Sequence, residues 1–274
     1  MLKKITISGG LDKDGISENI RRLDICVGEV LAVVGPTGSG KSQLIADVEQ
    51  YAEEETLTGR SILIDDQPLN KNKNKNLSRY LVAQVSQNMN FVIDMSIEEF
   101  LLMHAQVRAI EEPFRIVKDV LSITNQLSGE PISLSMNLTQ LSGGQSRALM
   151  VADVALISNS PIVLIDEIEN AGINRLQALE ILTGQGKIVL VVSHDPTLIL
   201  MAGKRVVMKN GGMYKIFETT SEEKKILKDL IKIDEKFVCL REQLRNGKSI
   251  RTVEQKRGGL WNGQNFSALS AEYQ

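Results

Sequence analysis

Hydrophobic positions fall into two patterns along the chain. Val30-Leu31-Ala32-Val33-Val34, Ile162-Val163-Leu164-Ile165 and Ile188-Val189-Leu190-Val191-Val192 are unbroken, largely β-branched apolar runs. Runs this short and this apolar predict strands buried on both faces. Residues 61–65 and 80–87 also have strand character. Elsewhere the period lengthens. Lys41–Val48 reads as a helix that follows a glycine-rich turn, and from Ser96 to about Gln140 the pattern is helical. Ser96 with Glu99 three residues later fits a capping box, and Phe100, Leu101, Met103 and Val107 follow as an apolar face. Ala148–Ile157 and residues 171–183 suit further helices. Arg205–Ile216, with Asn210-Gly211-Gly212 at its middle, suits a hairpin. Strands alternating with helices predict an α/β fold with a mostly parallel sheet covered on both faces, and a β-rich flank over about 1–30 and 59–86.

The pattern changes after about residue 218. Ile226, Leu230, Ile233, Phe237, Leu240 and Leu244 form a heptad-like seam in a highly charged stretch that Asn246-Gly247 ends. This predicts a domain over 1–218 (helical subdomain about 92–150), an amphipathic helix over 219–246 and a flexible tail over 247–274. The helix either packs back on its own domain or pairs as a coiled coil. Gly258-Gly259-Leu260-Trp261 is a candidate docking segment within the tail. The Lys/Asn tract from Asn70 to Asn76 reads as a solvated loop rather than a nucleic-acid patch, because no aromatics are interleaved with it.

Composition narrows the function classes. The 274 residues are 42% hydrophobic and 24% charged, with a net charge of -2. That balance gives no general attraction to nucleic acid or anionic lipid. No apolar run approaches the roughly 18 residues that would cross a bilayer. Cys26 and Cys239 are too few for a disulfide framework, and the opening Met-Leu-Lys-Lys leads into no long apolar segment. A cytoplasmic protein is the expectation.

Two motifs carry phosphate chemistry. Gly35-Pro36-Thr37-Gly38-Ser39-Gly40-Lys41-Ser42 has the spacing of a phosphate-binding loop between strand and helix. Its glycines let backbone N–H groups form an anion nest at a helix N-terminus, Lys41 neutralises phosphate charge and Ser42 ligates Mg²⁺. Asp166-Glu167 ends a predicted buried strand, where ligands bind in open α/β sheets. One carboxylate there can support Mg²⁺ and its neighbour can polarise water. Together they predict a nucleotide hydrolase.

Leu141-Ser142-Gly143-Gly144-Gln145 points to a family. With it, the sequence resembles the ATP-binding cassette (ABC) ATPases over about residues 1–218. Gly35–Ser42 resembles the Walker A segment, extended to Gln43 as a nucleotide contact. Gln87 stands where the family has its Q-loop glutamine, with Gln84 a nearby competitor, and residues 141–145 resemble the signature. Asp166 and Glu167 resemble the Walker B pair, and His194 in Val192-Ser193-His194-Asp195 the switch histidine. The resemblance implies ATP and Mg²⁺ as cofactors, the latter held through Ser42, Gln87 and Asp166. It also implies a second ABC domain as partner, each ATP lying between one chain's Walker A and the other's Ser142, Gly143, Gly144 and Gln145. Glu167 would be the general base, Gln87 the sensor of Mg²⁺ and the γ-phosphate, and His194 the stabiliser of transferred charge.

Three positions depart from the family's pattern. Asp12 stands where transporter cassettes carry an aromatic that stacks on adenine, and residues 1–27 contain no Phe, Tyr or Trp. Ile168-Glu169-Asn170 replaces the Pro and Ser/Thr that usually follow the Walker B pair. Asn174 replaces the D-loop aspartate. The resemblance implies a transporter's nucleotide-binding subunit with a separate membrane permease. The departures and the seam favour the alternative, an ATPase that remodels a soluble protein or assembly.

Overall fold

In the computed structural model, the apolar runs become the middle of a six-stranded sheet. The structure describes residues 2–51, 56–68, 81–86, 90–166 and 173–249. Its contacts divide the chain into two units, Met1–Glu218 and Thr219–Gln274. Among the described residues of the first unit, the strands are β1 (Lys4–Ser8), β2 (Arg22–Cys26), β3 (Val30–Val34), β4 (Ser61–Ile64), β5 (Gln67–Pro68), β6 (Val82–Ser86), β7 (Ile162–Asp166), β8 (Ile188–Val192), β9 (Lys204–Lys209) and β10 (Gly212–Glu218). The large sheet runs β10-β9-β3-β8-β7-β6 and is parallel except at β10. A separate antiparallel sheet runs β2-β1-β4-β5.

The strand period of two sorts the large sheet's side chains into two cores. Leu31, Val33, Ile162, Leu164, Ile188 and Leu190 pack on helix α1 (Lys41–Glu49) and on the small sheet through Ile5, Ile7 and Ile62. Ala32, Val163, Ile165, Val189 and Val191 face the other way, toward α4 (Gly143–Leu156), α5 (Arg175–Gly184) and α6 (Pro196–Met201). A fully apolar strand is therefore what a two-faced sheet requires.

Three expectations need correction. Residues 82–86 do not join the β flank: β6 lies at the edge of the large sheet, parallel to β7, where Val85 enters the second core. The helical stretch from Ser96 is broken into α2 (Ile97–Val107), α3 (Pro113–Leu127) and a short 3₁₀ turn, Leu138–Gln140. Ala109 at φ 53° ends one helix, and Pro113 starts the next at a position where its missing N–H costs nothing. Helix α4 starts at Gly143, five residues before Ala148, because Ser142 and Gln145 form a complete capping box. The Ser96–Glu99 box is present as expected. A third core joins α2, α3 and α4 through Ile97, Leu101, Val117, Val120, Leu149 and Ala152.

The second unit contains α7 (Ser221–Arg245). On its seam Ile226, Ile233, Phe237 and Leu244 are about half exposed. The Asn70–Asn76 tract and Trp261 lie outside the described residues.

Candidate nucleotide site

Three neighbouring strands deliver the site. Helix α1, entered from the loop after β3, starts with Lys41 and Ser42, the end of β7 carries Asp166, and the loop after β8 carries His194. In register, Asp166 pairs with Val192 of β8. A cleft of about 310 Å³ results, lined by Thr37, Gly38, Gly40, Lys41, Ser42, Gln43, Asp166, Val192 and His194. Ligands bind at this end of parallel sheets because the strand ends and helix N-termini converge there.

The phosphate loop is held by tight backbone packing. Gly38 and Gly40 have φ of 75° and 98°, conformations that side-chain-bearing residues rarely adopt. A Cβ on Gly35 would lie 2.5 Å from the Met208 carbonyl oxygen, and one on Gly40 would lie 2.7 Å from Gly211 Cα. The Gly211 N–H donates to the Ser39 carbonyl at 2.9 Å. Lys41 Nζ donates to the carbonyls of Gly35 (2.8 Å) and Pro36 (3.1 Å), which holds the ammonium over the loop. The β9–β10 turn is thus a wall of the phosphate loop, a role that reading it as a hairpin did not reveal.

A buried ion cluster stands behind that wall. Arg60, Glu18 and Asp47 have fully buried side chains. Arg60 donates to Glu18 Oε1 through Nε (3.0 Å) and Nη2, to Asp47 Oδ2 at 2.8 Å and to the Gly211 carbonyl at 2.6 Å. Glu18 also accepts the Gly10 and Met213 N–H groups, at 3.1 and 3.0 Å. Asp47 accepts from Gln43, a residue of the cleft, at 3.1 Å. The sequence offers no local signal for this cluster, since its members come from the small sheet's loops and from α1.

Beyond His194, Asp195 caps α6 by accepting the Thr197 N–H at 2.7 Å, and it also pairs with Arg175 at the start of α5. Asn174 caps α5, its side chain accepting the Gln177 N–H at 3.2 Å.

The signature residues are elsewhere. Ser142 Oγ accepts the Gln145 N–H at 3.3 Å, and Gln145 Oε1 accepts the Ser142 N–H at 2.9 Å. Ser142, Gly143, Gly144 and Gln145 do not line the cleft of their own chain. Gln87 and Glu167 lie outside the described residues, as do Ile168, Glu169 and Asn170. Of the predicted metal ligands, Ser42 and Asp166 share the cleft, and a hydroxyl with a carboxylate is the hard oxygen donor set that Mg²⁺ takes.

The ABC transporter family model matches residues 19–170. An uncharacterized ABC transporter ATP-binding protein of Methanocaldococcus jannaschii is 53% identical over 91% of this chain and 95% of its own length. The chain belongs to the ABC transporter family. Its cassette is 34% identical to part of the ATP-dependent lipid A-core flippase of Hahella chejuensis, over 74% of this chain and 34% of that one. Among solved structures, the cbiO1 cassette of Clostridium perfringens superimposes with a TM-score of 0.61 at 20% identity, covering 89% of this chain and 96% of that one. A dimeric cassette in a post-hydrolysis state with ADP and Pi gives 0.60 at 21%, covering 79% and 99%. At these identities the structures establish the fold, an ABC-type α/β cassette. The protein is an ATPase of that family.

Proposed function

We propose that this cassette is the ATP-hydrolysing subunit of a membrane transporter, working as a pair of cassettes closed around MgATP. The observation that carries the reading is the separation of two glycine-rich helix starts. One, with Lys41 and Ser42, shares a cleft with Asp166 and His194; the other, at Ser142, does not line that cleft. A second cassette's helix start would complete the site, its N–H groups binding the γ-phosphate. Ser42 and Asp166, with Gln87, would hold Mg²⁺, which when bound offsets phosphate charge. Glu167 takes the proton of the attacking water, and His194 stabilises the charge that moves onto the leaving phosphate. ATP then closes the pair because the extra contacts exist only with the γ-phosphate present, and hydrolysis removes them.

The transporter reading is favoured over the remodelling one by the relative that matches nearly end to end, itself described as an ABC transporter ATP-binding protein. Among the described residues, no helix is long and apolar enough to cross a membrane, so transport would need a separate permease. Val92, Val107 and Phe114, between 67 and 90% exposed in and beside α2 and α3, offer it apolar anchors. The working place would be the cytoplasmic face of a membrane.

The test uses a tagged Glu167→Gln variant, trapped with ATP in its native cell and purified with and without detergent. A polytopic membrane protein recovered only in detergent is expected. A soluble partner recovered without detergent would replace the transporter with a remodelling ATPase. Retained turnover in the variant would remove Glu167 from its role.

A further inference from the structure

Lys13 sits on a turn that the nucleotide motifs do not include. Leu11 and Ser17 form an antiparallel bridge across that turn, and Asp12 Oδ1 accepts the N–H groups of Asp14 and Ile16, both at 2.9 Å. The turn is therefore held by its own bonds. Lys13 is then pinned from outside: its N–H donates to the Asn210 carbonyl at 2.9 Å, and its Cγ lies so close to Gly211 that a Cβ there would come within 2.8 Å. Its ammonium donates to the carbonyl of Gly38, a residue of the cleft, at 2.7 Å.

The acidic neighbours on either side are engaged differently. Asn210 Nδ2 donates to Asp14 at 2.7 Å and to Asp12 at 3.3 Å, so both carboxylates are drawn to the hairpin while the ammonium bonds the phosphate loop. One carbonyl uses one of three ammonium N–H groups, and two remain for an anion. The described residues lining the cleft include no Phe, Tyr or Trp, and residues 1–27 contain none.

We propose that Lys13 is a second cation of the nucleotide site, binding the phosphate chain beside Lys41, so that the site reads the polyphosphate and is nearly indifferent to the base. The inference rests on the nucleotide reading above and adds its specificity: any nucleoside triphosphate is accepted. Lys13 is exposed, and a charge-assisted contact from its ammonium to phosphate would supply part of the affinity that a stacked ring would otherwise give.

Equilibrium binding of MgATP, MgADP, MgGTP and MgCTP to the full chain tests this, with Lys13→Gln, Lys13→Ala and Lys41→Ala variants. Wild-type protein should bind the three triphosphates within about threefold of one another. Lys13→Gln keeps a donor for the Gly38 carbonyl but loses the charge. It should weaken ATP and ADP alike by about tenfold, and the affinity should depend less on salt. Lys13→Ala should match it, with an unchanged melting temperature showing that the exposed turn still folds. Wild-type affinity in Lys13→Gln would overturn the proposal and leave Lys13 as a support for the loop. ATP preferred over GTP and CTP by more than about tenfold would overturn base indifference. Wild-type protein that binds none of the four, or Lys41→Ala that binds normally, would overturn the nucleotide reading itself and this inference with it.

Discussion

The phosphate loop and the signature segment are both glycine-rich starts of helices, yet they use glycine for different reasons. In the phosphate loop the demand is internal. Gly38 and Gly40 have positive φ, and the backbones of Met208 and Gly211 occupy the space where Cβ atoms of Gly35 and Gly40 would go. At Gly143 the φ is not in that region, and the nearest atom to an added Cβ is Arg147 Nη1 at 3.4 Å, the end of a flexible side chain. Among the described residues, no neighbour of Gly143 requires a missing side chain there. The contrast teaches that the first loop is built by its own chain, whereas in the pairing proposed above the second would keep a bare backbone for the other cassette's nucleotide.

The largest effect should come from behind the phosphate loop. Arg60→Met would leave Glu18 and Asp47 buried without their cation, costing about 3–5 kcal/mol, and would free the Gly211 carbonyl that braces the loop. Denaturant unfolding measures this, and a loss under about 1 kcal/mol would show that the cluster is not fully desolvated. Gly40→Ala comes next. Its Cβ meets Gly211 backbone and its φ is unfavourable, so about 2–3 kcal/mol should be lost together with MgATP binding. Tight ATP binding by that variant would break the comparison at its stronger half.

The far end of the signature helix gives a pH test. Lys187 is buried before β8 and donates to the Ser158 carbonyl just beyond α4, at 2.7 Å. Burial pushes its pKa down to about 8, with Arg108 adding to the effect. The unfolded chain then binds more protons than the folded one from about pH 8 to the usual lysine range, so stability should rise with pH across that window. The gain should be about 2 kcal/mol between about pH 8 and 10, relative to a Lys187→Met variant that lacks the group. Equal slopes in the two proteins would contradict it. The smallest effect on stability belongs to Gly143→Ala. It should stabilise the helix by about 0.5–1 kcal/mol while lowering ATPase turnover by about tenfold or more, because in the proposed pairing it would block the other cassette's nucleotide. Normal turnover would remove the reason for a bare backbone at that position.

Much of the site was legible where its logic is local. The Ser96–Glu99 box, the helix after Gly40 and the strand ending at Asp166 each depend on residues a few positions apart. The edge position of β6 was misread because a short strand shows the same alternation in either sheet, and only pairing with β7 decides which it joins. The break near Ala109 was missed because Ala carries no turn signal of its own; Pro113, which starts the next helix, was the signal available.

By itself, then, the sequence determined the apolar strands, the helix caps and the two glycine-rich helix starts, since hydrophobic period, capping and backbone freedom act over a few residues. Tertiary structure alone decided that Lys41, Asp166 and His194 share one cleft, through the adjacency of β3, β8 and β7. It alone brought Lys13 to Gly38, 25 positions away, Arg60 to Glu18, 42 away, and Arg60 to Gly211, 151 away. Such contacts leave no trace in spacing, because an ion pair or a backbone wall is selected by proximity after the sheet has formed.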